Sequence, residues 1–218
     1  MSEVILTAEN LKVHFNVAKK GSLFKKIKLK AVDGVSFQLM SGETLGVVGE
    51  SGCGKSTLAR SLLSLIKPTS GKVTILKKEW TSLSEKNLRK ERKNIQMIFQ
   101  DPLASLNPRM TAGQSIAEPL RTFYPKMPRA EITEKVLKIM SLVGLIPEHL
   151  NRYPHEFSGG QCQRIGIARA LILDPKIVVC DEPVSALDVS IQAQIINLLK
   201  KIQKELNLTL VFIRFFIF

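Results

Sequence analysis

One stretch constrains the fold of this chain more than any other feature. Residues 49–57 read Gly-Glu-Ser-Gly-Cys-Gly-Lys-Ser-Thr and match the pattern G-x-x-x-x-G-K-[ST], whose backbone N–H groups surround a phosphate. An apolar run at 45–48 precedes it, and a helix-like run at 58–66 follows it. Strand, glycine loop and helix in this order predict an α/β domain with an anion-binding loop. The alternative is a chance lysine in a glycine-rich turn, and the flanking runs argue against it.

Each residue type in this loop has a physical use. Glycines let the backbone turn tightly and direct N–H groups inward, and the following helix adds its positive dipole end. Lys55 can reach the outer phosphates, and Ser56 can offer its hydroxyl to Mg²⁺. The predicted nucleotide contacts here are Gly49, Ser51, Gly52, Cys53, Gly54, Lys55, Ser56 and Thr57.

Length and composition limit the class of protein. The chain has 218 residues, of which 44% are hydrophobic, enough for one domain with a sub-lobe. We find no secretory signal and no apolar run long enough to cross a membrane, so we expect a cytosolic protein. Cys53, Cys162 and Cys180 lack a C-x-x-C spacing, which predicts neither disulfides nor a metal cluster.

The net charge of +13 has a local source. A short segment contains six lysines, namely Lys19, Lys20, Lys25, Lys26, Lys28 and Lys30. We interpret it as an exposed loop that lies near lipid headgroups, or else as a merely solvated loop.

The apolar patterns predict the order of the elements. Strands are expected at 4–6, 11–15, 35–39, 44–48, 72–76, 95–99, 177–180 and 209–213, and helices at 58–66, 84–92, 158–173 and 189–206. Between 111 and 150 a helical periodicity interrupted by prolines predicts an inserted helical lobe. We therefore divide the chain into a core, residues 1–100 and 174–218, and a helical subdomain at about 101–173.

Three further stretches resemble a known family. They are Phe-Ser-Gly-Gly-Gln at 157–161, Asp-Glu-Pro-Val-Ser-Ala-Leu-Asp at 181–188, and Gln-Asp-Pro-Leu-Ala-Ser-Leu-Asn-Pro-Arg-Met at 100–110. In this order they resemble the ATP-binding subunits of ABC transporters, and among them the oligopeptide and dipeptide importers. The resemblance covers about residues 4–213. It implies the ABC-ATPase form of the P-loop NTPase fold: α/β, a mixed sheet core, an N-terminal antiparallel β part and an inserted α-helical subdomain.

The resemblance implies ATP and Mg²⁺ as cofactors and a role for each matching residue. Asp181 would hold Mg²⁺ through water, Glu182 would be the general base, and Gln100 would sense Mg²⁺ and the attacking water. The other reading of this acidic pair is two solvated carboxylates. Phe15 aligns with the aromatic that stacks on adenine; the alternative is a plain core phenylalanine.

The resemblance also implies a companion ATPase subunit, arranged head to tail. Ser158, Gly159, Gly160 and Gln161 would contact the γ-phosphate of nucleotide bound by that companion, and Asp188 would cross the interface. Ser158 is also read as a helix N-cap, which is compatible with this role.

Further implied partners are two membrane permeases and an extracytoplasmic peptide-binding protein. The chain would lie peripherally on the cytoplasmic face of the bacterial inner membrane, and the segment 101–110 would receive the coupling helix of a permease. No nucleic acid partner is expected. The sequence does not indicate which peptides are carried, nor whether the ATPase pair is a homodimer or a heterodimer.

The sequence departs from the family pattern at its end. Phe215 stands where the family has a histidine that contacts the γ-phosphate, and phenylalanine cannot form that hydrogen bond. We expect a truncated or frameshifted C-terminus without the family's further C-terminal region; a short variant is the alternative. Retained or weakened ATP binding with severely impaired hydrolysis would follow.

Other classes are less consistent with the sequence. DNA-repair and chromosome ATPases carry coiled-coil or zinc-bearing insertions between the two glycine motifs, where this chain has no heptads and no cysteine pairs. A GTPase is disfavoured because an Asn-Lys-x-Asp guanine reader is lacking. A subunit that binds nucleotide without turning it over stays open because of Phe215.

Overall fold

A computed structural model describes residues 3–18 and 26–215. The strands are β1 (Val4–Ala18), β2 (Lys26–Met40), β3 (Thr44–Gly49), β4 (Ser70–Ile75), β5 (Lys78–Glu79), β6 (Ile95–Ile98), β7 (Ile177–Asp181) and β8 (Thr209–Phe215). The helices are α1 (Lys55–Leu62), α2 (Glu85–Glu91), α3 (Ala112–Phe123), α4 (Arg129–Leu142), α5 (Gly159–Leu171) and α6 (Val189–Leu206). Among the described residues, no helix combines the length and the apolar character that membrane crossing requires.

The strands form two sheets. One is antiparallel in the order β2-β1-β4-β5, and the other is parallel in the order β3-β8-β7-β6. Strands of a parallel sheet are covered on both faces, and all five residues of β7 are buried. Because its strands all run the same way, the segments after β3, β6 and β7 leave the sheet at one edge.

Two apolar clusters pack on opposite faces of β7. Val178 and Cys180 belong to the cluster that joins α3, α4, α5 and α6. Ile177 and Val179 belong to the cluster that joins α1 to the antiparallel sheet and includes Trp80. This alternation follows from the two-residue period of a strand, and it holds β7 firmly between the two halves of the core.

The predicted mixed sheet core is confirmed, with two local differences. The two short N-terminal strands that we expected are one strand, β1, whose pairing is irregular between Ala8 and Leu11, where Asn10 has a φ of 46°. The pattern missed this because a left-handed residue breaks the alternation of side chains without ending the strand. The helix after the phosphate loop begins at Lys55, earlier than the apolar run suggested.

The prediction of an exposed basic loop is wrong in part. Lys26, Lys28 and Lys30 lie in β2, where they pair with Ala18, Asn16 and His14 of β1. Their alternation with the apolar residues at 27 and 29 is the pattern of a strand with two unlike faces. Lys19, Lys20 and Lys25 lie outside the described residues.

Candidate functional site

The phosphate loop is built where β3 ends and α1 begins. Gly54 is the N-cap of α1 and has a φ of 100° and a ψ of 5°, a conformation that glycine adopts without strain. A Cβ atom on Gly54 would lie 1.9 Å from the carbonyl oxygen of Ala31. Ala31 is an extra residue in β2, since the pairing passes from Val13↔Val32 to His14↔Lys30. This bulge presses the backbone of β2 against the loop.

Lys55 lies inside the turn of this loop. Its Nζ donates hydrogen bonds to the carbonyl oxygens of Gly49 (2.8 Å) and Glu50 (2.7 Å). The same Nζ is 3.9 Å from Oε1 of Glu182. The residue is 6% exposed, so its charge is held in a confined place beside the loop amides. A compact cation so placed is suited to an anionic ligand.

The hydroxyl of Ser56 joins the loop to β7. Ser56 Oγ donates a hydrogen bond to Oδ1 of Asp181 at 2.9 Å, and Asp181 is buried. A hydroxyl and a carboxylate are the hard oxygen ligands that Mg²⁺ takes in phosphate sites. Ser56 lies in α1, which follows β3, and β3 and β7 both pair with β8, so α1 begins close to the end of β7.

Glu182 follows β7 in an unusual backbone conformation. Its φ is 47°, a left-handed value that costs about 1 kcal/mol or more for a non-glycine residue. Its N–H donates to the carbonyl oxygen of Ile213 in β8, which holds this turn in place. Its Oε2 accepts a hydrogen bond from Nε2 of Gln100 at 3.0 Å. The turn thus aims the carboxylate at both Gln100 and Lys55.

The Ser-Gly-Gly-Gln motif begins α5 with a capping box. Ser158 Oγ accepts from the N–H of Gln161 (3.3 Å), and the N–H of Ser158 donates to Oε1 of Gln161 (3.0 Å). A Cβ on Gly160 would lie 2.7 Å from Ile191, and one on Gly159 would lie 3.2 Å from Leu187. These glycines therefore allow α5 to pack closely on the start of α6. The helix-cap reading of Ser158 is confirmed.

Asp188 occupies the N-cap position of α6, between the Leu187 and Ile191 contacts. Its carbonyl oxygen accepts from the N–H groups of Ile191 and Gln192, while its exposed side chain makes no capping bond. The carboxylate is thus presented to solvent beside the Ser-Gly-Gly-Gln motif.

Phe15 lies at the surface, so the reading of a plain core phenylalanine is wrong. Its exposed fraction is 37%, and its cross-strand partner Leu29 is 53% exposed. Residues directly opposite in an antiparallel pair share one face. Leu29 is two positions from Ala31, whose carbonyl abuts Gly54, so this apolar pair lies next to the phosphate loop.

The structure brings most predicted residues to one sheet edge, where Lys55, Ser56, Asp181, Glu182 and Gln100 are linked by the contacts above. Sequence reasoning did not find the left-handed Glu182 or the β2 bulge. The glycine at position 54 signalled a constrained backbone, but it did not tell a left-handed φ from the close approach of β2, and the structure shows both.

The site fits a nucleoside triphosphate with Mg²⁺. A Cβ built on Gly52 would meet no heavy atom within 4 Å, which leaves open space beside the loop. The loop amides and Lys55 suit phosphate oxygens, and Ser56 with Asp181 suits the metal. Phe15 offers an apolar surface for a base.

Fold and site together define a P-loop ATPase of the α/β class. The profile of the family described as "ABC transporter" matches residues 32–185, so the chain belongs to the ABC transporter ATP-binding family.

Comparison with curated relatives shows which members of the family this chain is similar to. The chain is 61% identical over 213 residues to the oligopeptide transport ATP-binding protein OppF of Escherichia coli K12, and 55% identical over 213 residues to AppF of Bacillus subtilis 168. It is 51% identical over 212 residues to the di/tripeptide transport ATP-binding protein DppF of Pseudomonas aeruginosa. Each alignment covers 97% of this chain but only 64%, 64% and 65% of the relative.

Solved structures confirm the predicted fold class. A dimeric, post-hydrolysis structure of the ATP-binding cassette MJ0796 bound to ADP and Pi is similar with a TM-score of 0.84 and 31% identity, covering 96% of this chain and 87% of that one. CbiO1 from Clostridium perfringens, part of the ABC transporter complex CbiONQ, is similar with a TM-score of 0.82 and 28% identity, covering 98% and 79%.

Proposed function

We propose that this chain is the ATP-binding and ATP-hydrolysing subunit of an ABC transporter that imports oligopeptides or dipeptides. The observation that carries the proposal is the linkage of Lys55, Ser56, Asp181, Glu182 and Gln100 at one edge of the parallel sheet. The peptide class rests on the names of relatives of which the chain spans about 64%.

The bound nucleotide would be held by this chain's own loop. The residues from Gly49 to Thr57 would surround the phosphates, with Lys55 turning from its loop carbonyls to the outer phosphates. Ser56 and Asp181 would hold Mg²⁺, with Gln100 nearby. Phe15 would stack on the adenine. Bound Mg²⁺ supplies charge neutralisation of the phosphates.

Glu182 would act as the general base for hydrolysis. Its left-handed backbone and its bond to Gln100 fix the carboxylate at the loop, where an attacking water would be oriented. Lys55, 3.9 Å away, keeps a positive charge close to this carboxylate. Gln100 would report the state of this site to the segment 101–110.

A companion ATPase subunit would complete each site. Ser158, Gly159, Gly160 and Gln161 would contact the γ-phosphate that the companion binds, because the positive dipole end of a helix suits an anion. The exposed carboxylate of Asp188 would lie at the same interface. A second ATPase subunit, alike or different, is thus required.

The other partners would be two membrane permeases and an extracytoplasmic peptide-binding protein. A cavity of about 690 Å³, whose walls include Phe99, Gln100, Asp101 and Ala104, would receive a permease segment. The chain would then lie on the cytoplasmic face of the inner membrane. We propose that residues 1–100 and 174–218 form the nucleotide core and that residues 101–173 form the helical subdomain.

A second candidate function is nucleotide binding with poor turnover. Phe215 pairs with Gly49, the first residue of the phosphate loop, so position 215 is beside the site. A phenylalanine there supplies no hydrogen bond to a phosphate.

The test is a set of four chains: the intact chain, Phe215→His, Glu182→Gln, and the double variant. ATP binding is measured by calorimetric titration, and turnover by phosphate release. We expect all four to bind ATP and Phe215→His to turn over fastest.

Adding Glu182→Gln to Phe215→His should reduce turnover about 100-fold or more, since a general base contributes 10²–10⁴. Glu134→Gln, on the exposed face of α4, is the control. If the double variant turned over as fast as Phe215→His alone, the role of Glu182 would be disproved. If the intact chain turned over as fast as Phe215→His, the second candidate function would be disproved.

A further inference from the structure

Helix α5 connects two distant regions of the molecule. It begins at the Ser158 capping box, and its last turn carries Arg169. At 1.5 Å per residue these two positions are about 16 Å apart. Arg169 Nη1 donates a hydrogen bond to the carbonyl oxygen of Ser105 at 2.7 Å, so the far end of the helix is tied to the segment 101–110.

The segment around Ser105 is a compact turn held by its own hydrogen bonds. The N–H of Ser105 donates to the carbonyl oxygen of Asp101 (3.1 Å), and its Oγ donates to that of Pro102 (2.8 Å). The N–H of Ala104 donates to Oδ1 of Asp101 (2.9 Å). Because these bonds hold the neighbouring residues Ala104 and Ser105 in one turn, a displacement of Ala104 would be expected to move the Ser105 carbonyl with it.

Arg169 and this turn share a cavity. The 690 Å³ space has Ala104, Ser105, Glu118 and Arg169 in its walls. Burial lowers the pKa of the Arg169 guanidinium, and the negative charge of Glu118 opposes that shift. The Arg169 guanidinium therefore lies between α3 and the turn. A hydrogen bond from a charged donor such as this one is stronger than a hydrogen bond between two neutral groups.

We propose that Arg169 is a positioning residue, which transmits a displacement of the 101–110 turn by an occupant of the cavity along α5 to the Ser158 capping box. The path is contiguous: an occupant meets Ala104, the turn moves the Ser105 carbonyl, Arg169 follows it, and the helix carries the motion. That the natural occupant is a permease segment rests on the proposed function; the mechanical link does not.

Arg164 provides a matched control on the same helix. Its Nη1 donates to the carbonyl oxygen of Val143 at the end of α4, at 2.5 Å. Replacing either arginine removes one bond from α5 to a backbone carbonyl, but only Arg169 reaches the turn beside the cavity.

The test uses nucleotide-free protein, so its outcome is independent of ATP binding. The exposed thiol is removed by Cys53→Ser, since Cys162 and Cys180 are buried. Ala104→Cys then places a thiol in the cavity wall, and pyrene maleimide attached to it is the occupant. Hydrogen exchange of the Gln161 and Cys162 amides, which bond to Ser158, reports on the capping box.

With Arg169 present, the label should change exchange at these amides by about threefold or more. Arg164→Met should keep this response, Arg169→Lys should keep part of it, and Arg169→Met should abolish it. Thermal melting and exchange in β7 of the unlabelled variants report on stability. An equal response with Arg169→Met, no response with Arg169, or a uniform loss of protection throughout the chain would overturn the proposal.

Discussion

Replacing Gly54 by alanine should damage the phosphate loop far more than the same change at Gly52. Both glycines have positive φ, 100° and 78°, so an alanine at either costs about 1–2 kcal/mol in backbone strain. Only Gly54 adds a collision, because its Cβ would lie 1.9 Å from the Ala31 carbonyl oxygen, whereas a Cβ on Gly52 would meet open space. Neither partner of the collision is a side chain that can rotate away.

Relief of that contact requires a movement of the loop or of β2 by at least about 1 Å. Forced displacement of this kind costs about 1–3 kcal/mol, so Gly54→Ala should lower the free energy of unfolding by about 2–5 kcal/mol in total. A misplacement of about 1 Å in a catalytic site can cost about 100-fold in reaction rate. We expect a loss of the same order, about 100-fold, in the affinity of Gly54→Ala for ATP with Mg²⁺, because the shifted loop would misdirect several N–H groups at once.

Urea unfolding followed by circular dichroism and calorimetric titration with ATP measure the two effects. Gly52→Ala is the control, with a loss of only about 1–2 kcal/mol in unfolding free energy. Equal losses of stability and affinity in the two variants would refute the close approach of β2 to the loop.

Two further predictions concern the proposed stacking of adenine on Phe15 and the reactivity of the cysteines. Phe15→Ala should weaken ATP binding about fivefold, since stacking contributes roughly 1 kcal/mol, yet leave tripolyphosphate binding unchanged in competition titrations; equal losses for both ligands would contradict the stacking. Iodoacetamide at pH 8 should modify exposed Cys53, because burial raises the pKa of the Cys162 thiol and raises that of Cys180 to about 12. Peptide mass spectrometry of the folded protein checks this, and rapid modification of Cys180 would be inconsistent with the fold.

The sequence predicted the positions of strands and helices well where the local apolar pattern and the tertiary packing agree. The apolar run at 177–180 is a buried strand because both of its faces are covered, and α6 spans the predicted residues 189–206. The antiparallel hairpin was harder to predict. A left-handed Asn10 and the extra residue Ala31 shift the register. Ala31 lies against the phosphate loop at Gly54, a tertiary contact that periodicity does not predict.

The functional site was likewise predictable where local sequence decides, and not where tertiary contacts decide. A strand that ends in Asp181 and Glu182 predicted where these acids lie, but not that Glu182 turns left-handed and bonds Gln100. That bond joins residues 82 positions apart. Only the assembled sheet edge brings their side chains together.

The central claim, that a triphosphate lies in the loop around Lys55, is tested most directly by calorimetric titration of Lys55→Ala with ATP and Mg²⁺. A hydrogen bond from a charged donor contributes about 1.5–3 kcal/mol, so the affinity should fall by about 10-fold to 100-fold, while exposed Lys67→Ala should bind as the intact chain does. Full affinity in Lys55→Ala would contradict the claim.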